Sequence, residues 1–411
     1  MRICVGLMPK AMEKGHGEAM AAVLTGRDFV VFSDDWGRHP FSCQHIMQHF
    51  LPQNRILWVN TIGMRLPRLT AYDVKRAVEK IASWTAKASE SGMALPEGLR
   101  VISPVMIPFS TFPLVRVFNR WSVIRSVRAA MLEWDMRAPI LLTTQPLASE
   151  FVGRLGECAT VYYCVDDFAN WPDMNIPKLV RAMEEKLLCQ ADLVVAVSDH
   201  LVRTRPARKG ETRLLTHGVD VGHFRRARMV VGNKVFDGSR TFPVIGFFGL
   251  LDNRMDWNLV LSLVERHPEW TFVFIGNAQV SLGELTRFGN FRHISAVPYE
   301  ELPCHAAAFD LAILPYIVDE STAGISPLKL KEYLALDIPV VTTPLPGVME
   351  FREVLYMASG AEEFVAAIED ALRIGKKKHQ SDWIERETWV TKAETLSGWI
   401  DSLPLQKGCI A

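Results

Sequence analysis

Residues 309–343 read FDLAILPYIVDESTAGISPLKLKEYLALDIPVVTT. An apolar strand ends at Pro315, a polar loop follows, a helix opens at Ser326-Pro327, and a second strand closes at Thr343. Serine as N-cap with proline in the first turn predicts the helix start. The unpaired N–H groups and dipole of such an end favour an anion, here a diphosphate. Lys329 and Glu332 stand three residues apart and share a face, whereas Leu330, Tyr333 and Leu334 point to the core. A lysine beside the phosphates and a carboxylate one turn deeper, able to accept two ribose hydroxyls, suits a nucleotide-sugar. The competing reading is a solvated Lys/Glu face on a surface helix.

Outward from this stretch the same pattern repeats. Short apolar runs rich in β-branched residues occur at 29–33, 55–60, 140–144, 159–164, 193–198, 244–248, 271–275, 311–315 and 339–343. Such continuous runs suit strands covered on both faces, so parallel sheets between helix layers are expected. Charges and turn formers gather between about 225 and 241, including Gly232-Asn233 and Asp237-Gly238. The expected organisation is an extension over 1–27, a domain over 28–225, a domain over 241–382 and a helix over 383–405 that packs back across a cleft. Met20 as the true start explains residues 1–27 equally well.

Several further segments follow in order: ADLVVAVS at 191–198, His217-Gly218-Val219-Asp220 with Phe224, GFFG at 246–249 with Arg254, FIGN at 274–277, and DLAILPY at 310–316. Together with SPLKLKEYLALDIPVVTT they resemble the group 1 (family 4 type) glycosyltransferases, most closely the bacterial polysaccharide enzymes of the teichuronic acid transferase type. The resemblance implies a GT-B fold, in which two doubly wound Rossmann-like domains face each other across a cleft. It implies an N-terminal acceptor domain, a C-terminal nucleotide-sugar domain, and transfer of a sugar from a UDP- or GDP-linked donor. Carried onto this chain, the donor set is Gly249, Arg254, Gly276, Asn277, Val297, Tyr299, Gly324, Ser326, Pro327, Leu328, Lys329 and Glu332. Arg254 would clamp the diphosphate with its forked donors; its alternative is an ion pair with Asp252 or Asp256. Gly249 and Gly276 would let backbone approach the nucleotide. The chain departs from the family at Gly324, where a glutamate usually touches the donor sugar, and at His217, where an asparagine is usual.

In the first half, Ser33-Asp34-Asp35-Trp36-Gly37-Arg38-His39-Pro40 follows the first strand, at the edge where a doubly wound sheet collects ligands. A second polar cluster, through Asp166-Asp167, ends another strand. Asp34, Asp35, His39, Asp166 and Asp167 are candidates to take the acceptor hydroxyl's proton in an inverting reaction. The alternative for each is helix capping or a structural hydrogen bond. Residues 50–137 hold 13 basic against six acidic side chains, although the chain as a whole has 46 of each. There Arg116, Arg120, Arg125 and Arg128 interleave with Phe118 and Trp121, a composition suited to an anionic membrane surface. The competing reading is a solvated basic face beside a packed loop.

The balanced charge argues against a nucleic-acid binder. Seven cysteines without a C-x-x-C favour neither a disulfide framework nor a zinc site. No apolar run reaches membrane-spanning length and no signal peptide is expected, so the expected place is the cytoplasm, on the inner face of the plasma membrane. Transfer without a metal or other cofactor is expected, because no D-x-D lies in a donor loop. The expected partners are a nucleotide-sugar and a carbohydrate or lipid-linked acceptor. The alternatives are a nucleotide-sugar epimerase and a non-catalytic scaffold on the same fold.

Overall fold

A computed structural model of the protein describes residues 22–37, 41–61, 95–108, 111–171, 174–231, 242–320, 322, 325 and 328–404. The chain forms two compact units, one from Ala22–Thr216 with Lys392 onward, the other from His217–Thr391. The first contains β1 (Asp28–Ser33), α1 (Ser42–Phe50), β2 (Arg55–Asn60), β3 (Leu99–Ile102), α2 (Pro113–Glu133), β4 (Ile140–Thr143), β5 (Ala159–Cys164), α3 (Pro177–Leu188), β6 (Leu193–Ala196), α4 (Asp199–Thr204) and β7 (Glu211–Leu214). Its strands lie in the order β3-β2-β1-β4-β5-β6-β7, every neighbouring pair parallel. The inner strands carry Val, Ile, Leu and Phe on both faces and are buried throughout, as helix-covered parallel strands must be.

The second unit contains α5 (Val221–Val231), β8 (Val244–Phe248), α6 (Trp257–Arg266), β9 (Thr271–Ile275), β10 (Phe291–Ile294), α7 (Leu302–Ala306), β11 (Leu311–Leu314), α8 (Leu328–Ala335), β12 (Val340–Thr342), β13 (Tyr356–Met357), α9 (Gly360–Ile374) and α10 (Gln380–Ile384). Its order is β10-β9-β8-β11-β12-β13, again parallel. Both sheets therefore reverse direction beside their first strand, β1 against β4 and β8 against β11. In a doubly wound sheet, ligands bind at the carboxyl ends flanking that reversal.

All nine expected strands are present. The organisation differs from expectation in three ways. The units divide between Thr216 and His217, ahead of the 225–241 segment, because Val221 and Phe224 of α5 are buried in the second core. The tail is not one helix over 383–405: α10 ends at Ile384, a tight turn spans Glu385–Glu387, and α11 (Trp389–Asp401) starts afresh. Thr388 breaks it by adopting an extended conformation and accepting the Thr391 N–H on its hydroxyl, as an N-cap does. Cys158 is disulfide-bonded, where the cysteine pattern favoured neither a disulfide framework nor a zinc site, while Cys43, Cys164, Cys189 and Cys304 are free.

Candidate donor and acceptor sites

The reversal of the second sheet gathers the donor candidates. Gly249 follows β8 and Gly276 follows β9, their N–H groups bonded to the carbonyls of Ile275 and Ile294. Both have positive φ, 132° and 145°, which L side chains rarely adopt. A Cβ on Gly276 would collide with the Gly249 carbonyl, and one on Gly249 with the Lys329 side chain. Lys329 thus lies across the glycine turn. Its Nζ donates to the Tyr316 hydroxyl at 2.8 Å and sits 5.1 Å from the centre of the Phe247 ring, a cation–π arrangement. Tyr316 follows β11, so Lys329 spans the reversal from above.

The helix that carries Lys329 is not a solvated surface helix. Leu330, Tyr333 and Leu334 are buried as expected, but so are Lys331 and Glu332. Asp337 ends α8 in the left-handed region, which Asp tolerates better than most residues, and Ile338-Pro339 prevents continuation. Tyr333 accepts the N–H of Phe248 on its hydroxyl at 2.8 Å, fixing α8 to the end of β8. Lys331 reaches the carbonyl of His217 and the carboxylate of Glu387.

Glu332 is 6% exposed. No hydrogen bond to its carboxylate occurs among the described residues. Burial pushes its pKa up to about 7, against the opposing pull of Lys329. A buried, unbonded carboxylate costs stability, and proteins hold such groups where a ligand completes them. Half-buried Tyr299 stacks on His223 with ring centres 4.9 Å apart. Its hydroxyl is pushed above the ordinary range by burial first and then by Glu332 and Asp220, which places it in the same electrostatic neighbourhood. Val297 packs half-buried on the core, Asn277 is exposed, and Leu328 is half-buried in the first turn of α8.

Arg254 forms the ion pair that competed with the phosphate clamp: its Nε and an Nη reach Asp252 at 2.9 and 2.6 Å. Asp256 instead caps α6 through the Leu259 N–H. The pair orients the guanidinium, and the Arg254 carbonyl accepts the N–H of Ile317 next to Tyr316. Gly324, Ser326 and Pro327 lie outside the described residues, as does His39.

At the reversal of the first sheet, Asp34 after β1 accepts from Gln145 Nε2 at 3.1 Å. Gln145 follows β4 and takes the Thr61 hydroxyl at 2.9 Å, while Ser33 and Thr144 share a hydrogen bond of 2.9 Å. Sequence reasoning marked Asp34 and Ser33 but not Thr61, Thr144 or Gln145; the strand ends on either side of the reversal would have found them. Asp166 and Asp167 follow β5, two strands over, which is roughly 10 Å at the usual spacing. Asp166 accepts the N–H of Asp167, and Asp167 pairs with Arg205 at 2.8 Å. Arg205 also holds buried Glu184, which in turn accepts from the Tyr162 hydroxyl. Asp167 is thereby committed to a structural network. Asp35 is half-buried.

Residues 242–373 match the family described as Glycosyl transferases group 1. TuaH of Bacillus subtilis (strain 168), named as a teichuronic acid biosynthesis glycosyltransferase, is 27% identical over 207 residues. That match covers 47% of this chain and 52% of TuaH, so it spans about half the length of the relative. Among solved structures, sucrose-phosphate synthase from Thermosynechococcus elongatus superposes with a TM-score of 0.66 at 13% identity, covering 92% of this chain and 98% of that one. HepE from Anabaena, in complex with UDP and glucose, gives 0.64 at 14% identity, with 92% and 100% covered. An E. coli trehalose-6-phosphate protein bound with UDP-2-fluoro glucose gives 0.63 at 11% identity, again with 92% and 100% covered. These likenesses establish the fold as GT-B, with two Rossmann-like domains.

Proposed function

We propose that the chain, whose residues 242–373 match the group 1 glycosyltransferases, moves a sugar from a nucleoside-diphosphate sugar to an acceptor in bacterial polysaccharide synthesis. The observation that carries this reading is Glu332, a buried carboxylate with no hydrogen bond among the described residues, one turn from Lys329 at the reversal of the second sheet. Ribose offers two adjacent hydroxyl donors, which an ionised carboxylate accepts as charge-assisted bonds. Lys329 and Arg254 then meet the diphosphate, and their charge is worth most as the leaving group gains negative charge at bond cleavage. Gly249 and Gly276 keep side chains out of the space the phosphates need.

The proton of the acceptor hydroxyl goes to Asp34 in this reading, since Asp167 is held by Arg205. The donor is UDP- or GDP-linked, the acceptor is a carbohydrate or a lipid-linked one, and the work is done on the cytoplasmic side of the plasma membrane. Transfer needs no metal, because protein cations take the phosphate charge; full activity in excess EDTA is the expected result.

A thermal-shift series over UDP-, GDP-, ADP- and dTDP-sugars tests the donor site. One of them stabilises the protein, and Glu332→Gln weakens its binding by about tenfold to a hundredfold, since hydrogen bonds to a charged group contribute about 1.5–3 kcal/mol each. An unchanged shift in that variant removes Glu332 from the donor site. Product analysis then separates transferred sugar from epimerised donor.

A further inference from the structure

We propose that the exposed face of α2, with the loop before it, docks on an anionic lipid bilayer. This goes beyond the transfer reaction and stands on surface geometry alone. Leu114, Phe118, Trp121, Arg125, Arg128 and Leu132 are spaced by three and four residues, so they form one stripe along the helix, with Val117 beside it. Leu114 is 84% exposed, Phe112 60% and Trp121 58%. Apolar side chains contiguous in this way on a surface mark an interaction site. The opposite face, with Asn119, Ser122, Val123, Val127, Ala130 and Met131, is buried, so α2 is anchored in the fold and its outer face is left over.

The preceding loop is built for the same purpose. Pro104 and Met106 turn inward, whereas Val105 and Ile107 point out. The buried amide of Asn119 both receives the Ile107 N–H and donates to its carbonyl, each at 2.8 Å. The Ser122 hydroxyl donates to the Val105 carbonyl at 2.7 Å. An apolar loop enters a headgroup layer more cheaply when its backbone polar groups are already bonded, as the Ile107 N–H and the carbonyls of Val105 and Ile107 are.

Charge selects the occupant. Arg116, Arg120, Arg125 and Arg128 lie on α2, whose acidic residue, Glu133, stands at the far end. Glu150 offsets Arg120, and Arg128 also bonds the Arg154 carbonyl, but Arg125 is exposed over the Trp121 ring at 5.7 Å. A second copy docking by the same face would set arginines against arginines. An anionic surface attracts them, and Trp and Phe favour the interfacial depth. The patch also begins where β3 ends, at the same carboxyl edge of the sheet as Asp34, which follows β1 two strands away.

The test is co-sedimentation of the full chain with vesicles of phosphatidylcholine alone or with a quarter phosphatidylglycerol, at low and high salt. Binding is expected only with phosphatidylglycerol and is expected to fall with salt. The variant Phe112→Ser/Leu114→Ser/Trp121→Ser loses about tenfold or more of it, as does Arg116→Gln/Arg125→Gln. Both variants keep the wild-type melting temperature and donor shift, so failure here is separable from failure of the donor site. Absent binding at low salt, equal binding by the variants, or a wild-type dimer that the triple variant makes monomeric would each overturn the proposal.

Discussion

At the residue scale, the energetics turn on Glu332. Its ordinary pKa is 4.5 and its folded value about 7. Between these values the folded protein holds a proton that the unfolded chain has released, so stability falls as pH rises through that window. Glutamine removes the ionised form. Without donor, Glu332→Gln is therefore expected to melt above wild type at neutral and higher pH, with the gap closing toward pH 4.5. The limit is about 3 kcal/mol, because each tenfold change in proton affinity corresponds to about 1.4 kcal/mol. Donor affinity runs the other way, because ribose needs the carboxylate: it weakens about tenfold from about pH 8 to about pH 6 in the wild type. Melting and titration across that range check both, and a pH-independent gap means the carboxyl does not titrate there. The shared face of Lys329 and Glu332 was legible in their helical spacing. Lys331 was not, since its burial depends on Glu387, 56 residues away.

At the element scale, α8 owes its position to two polar anchors as well as to its apolar face. Tyr333 ties it to β8. Lys331, 2% exposed, ties it to His217 and Glu387 at the two places where the chain passes between units. Lys331→Met is expected to cost about 3 kcal/mol, because a buried pair that loses one partner leaves the other uncompensated. Denaturant melts check this, and Lys331→Met/Glu387→Gln should recover a good part of the loss; no recovery would assign the cost to packing. The same scale explains which strands were legible. β3, β7, β10 and β13 were not expected, and they are the four sheet edges. An edge strand is covered on fewer sides, so LRVI, ETRL and FRHI mix charges with apolar residues, and β13 has only two residues. Interior strands announce themselves by burial; edge strands are defined by a neighbour that the local sequence does not contain.

At the scale of the whole molecule, the chain leaves the first unit at Thr216 and returns to it at Lys392. The doubling of the sheet order was legible from the alternating apolar runs, and a returning tail helix was expected over 383–405; that this helix starts afresh at Trp389, so that α11 begins in one unit and ends in the other, was not legible. Its last turns complete the N-terminal unit: Ala393, Leu396 and Ile400 are buried, Ser397 accepts the Leu24 N–H at 2.7 Å, and Lys392 donates to Thr216. The C-terminal segment is thus a structural part of the first sheet's domain. Leu396→Ala opens a cavity in that core and is expected to cost about 3 kcal/mol. Because the two units have separate cores, the loss should be local. Hydrogen exchange should accelerate in β1, β2 and β4 while β8, β9 and β11 keep their protection, and the donor shift should persist. Equal acceleration in both sheets would mean that the units unfold as one cooperative body, and that α11 serves the second core as much as the first.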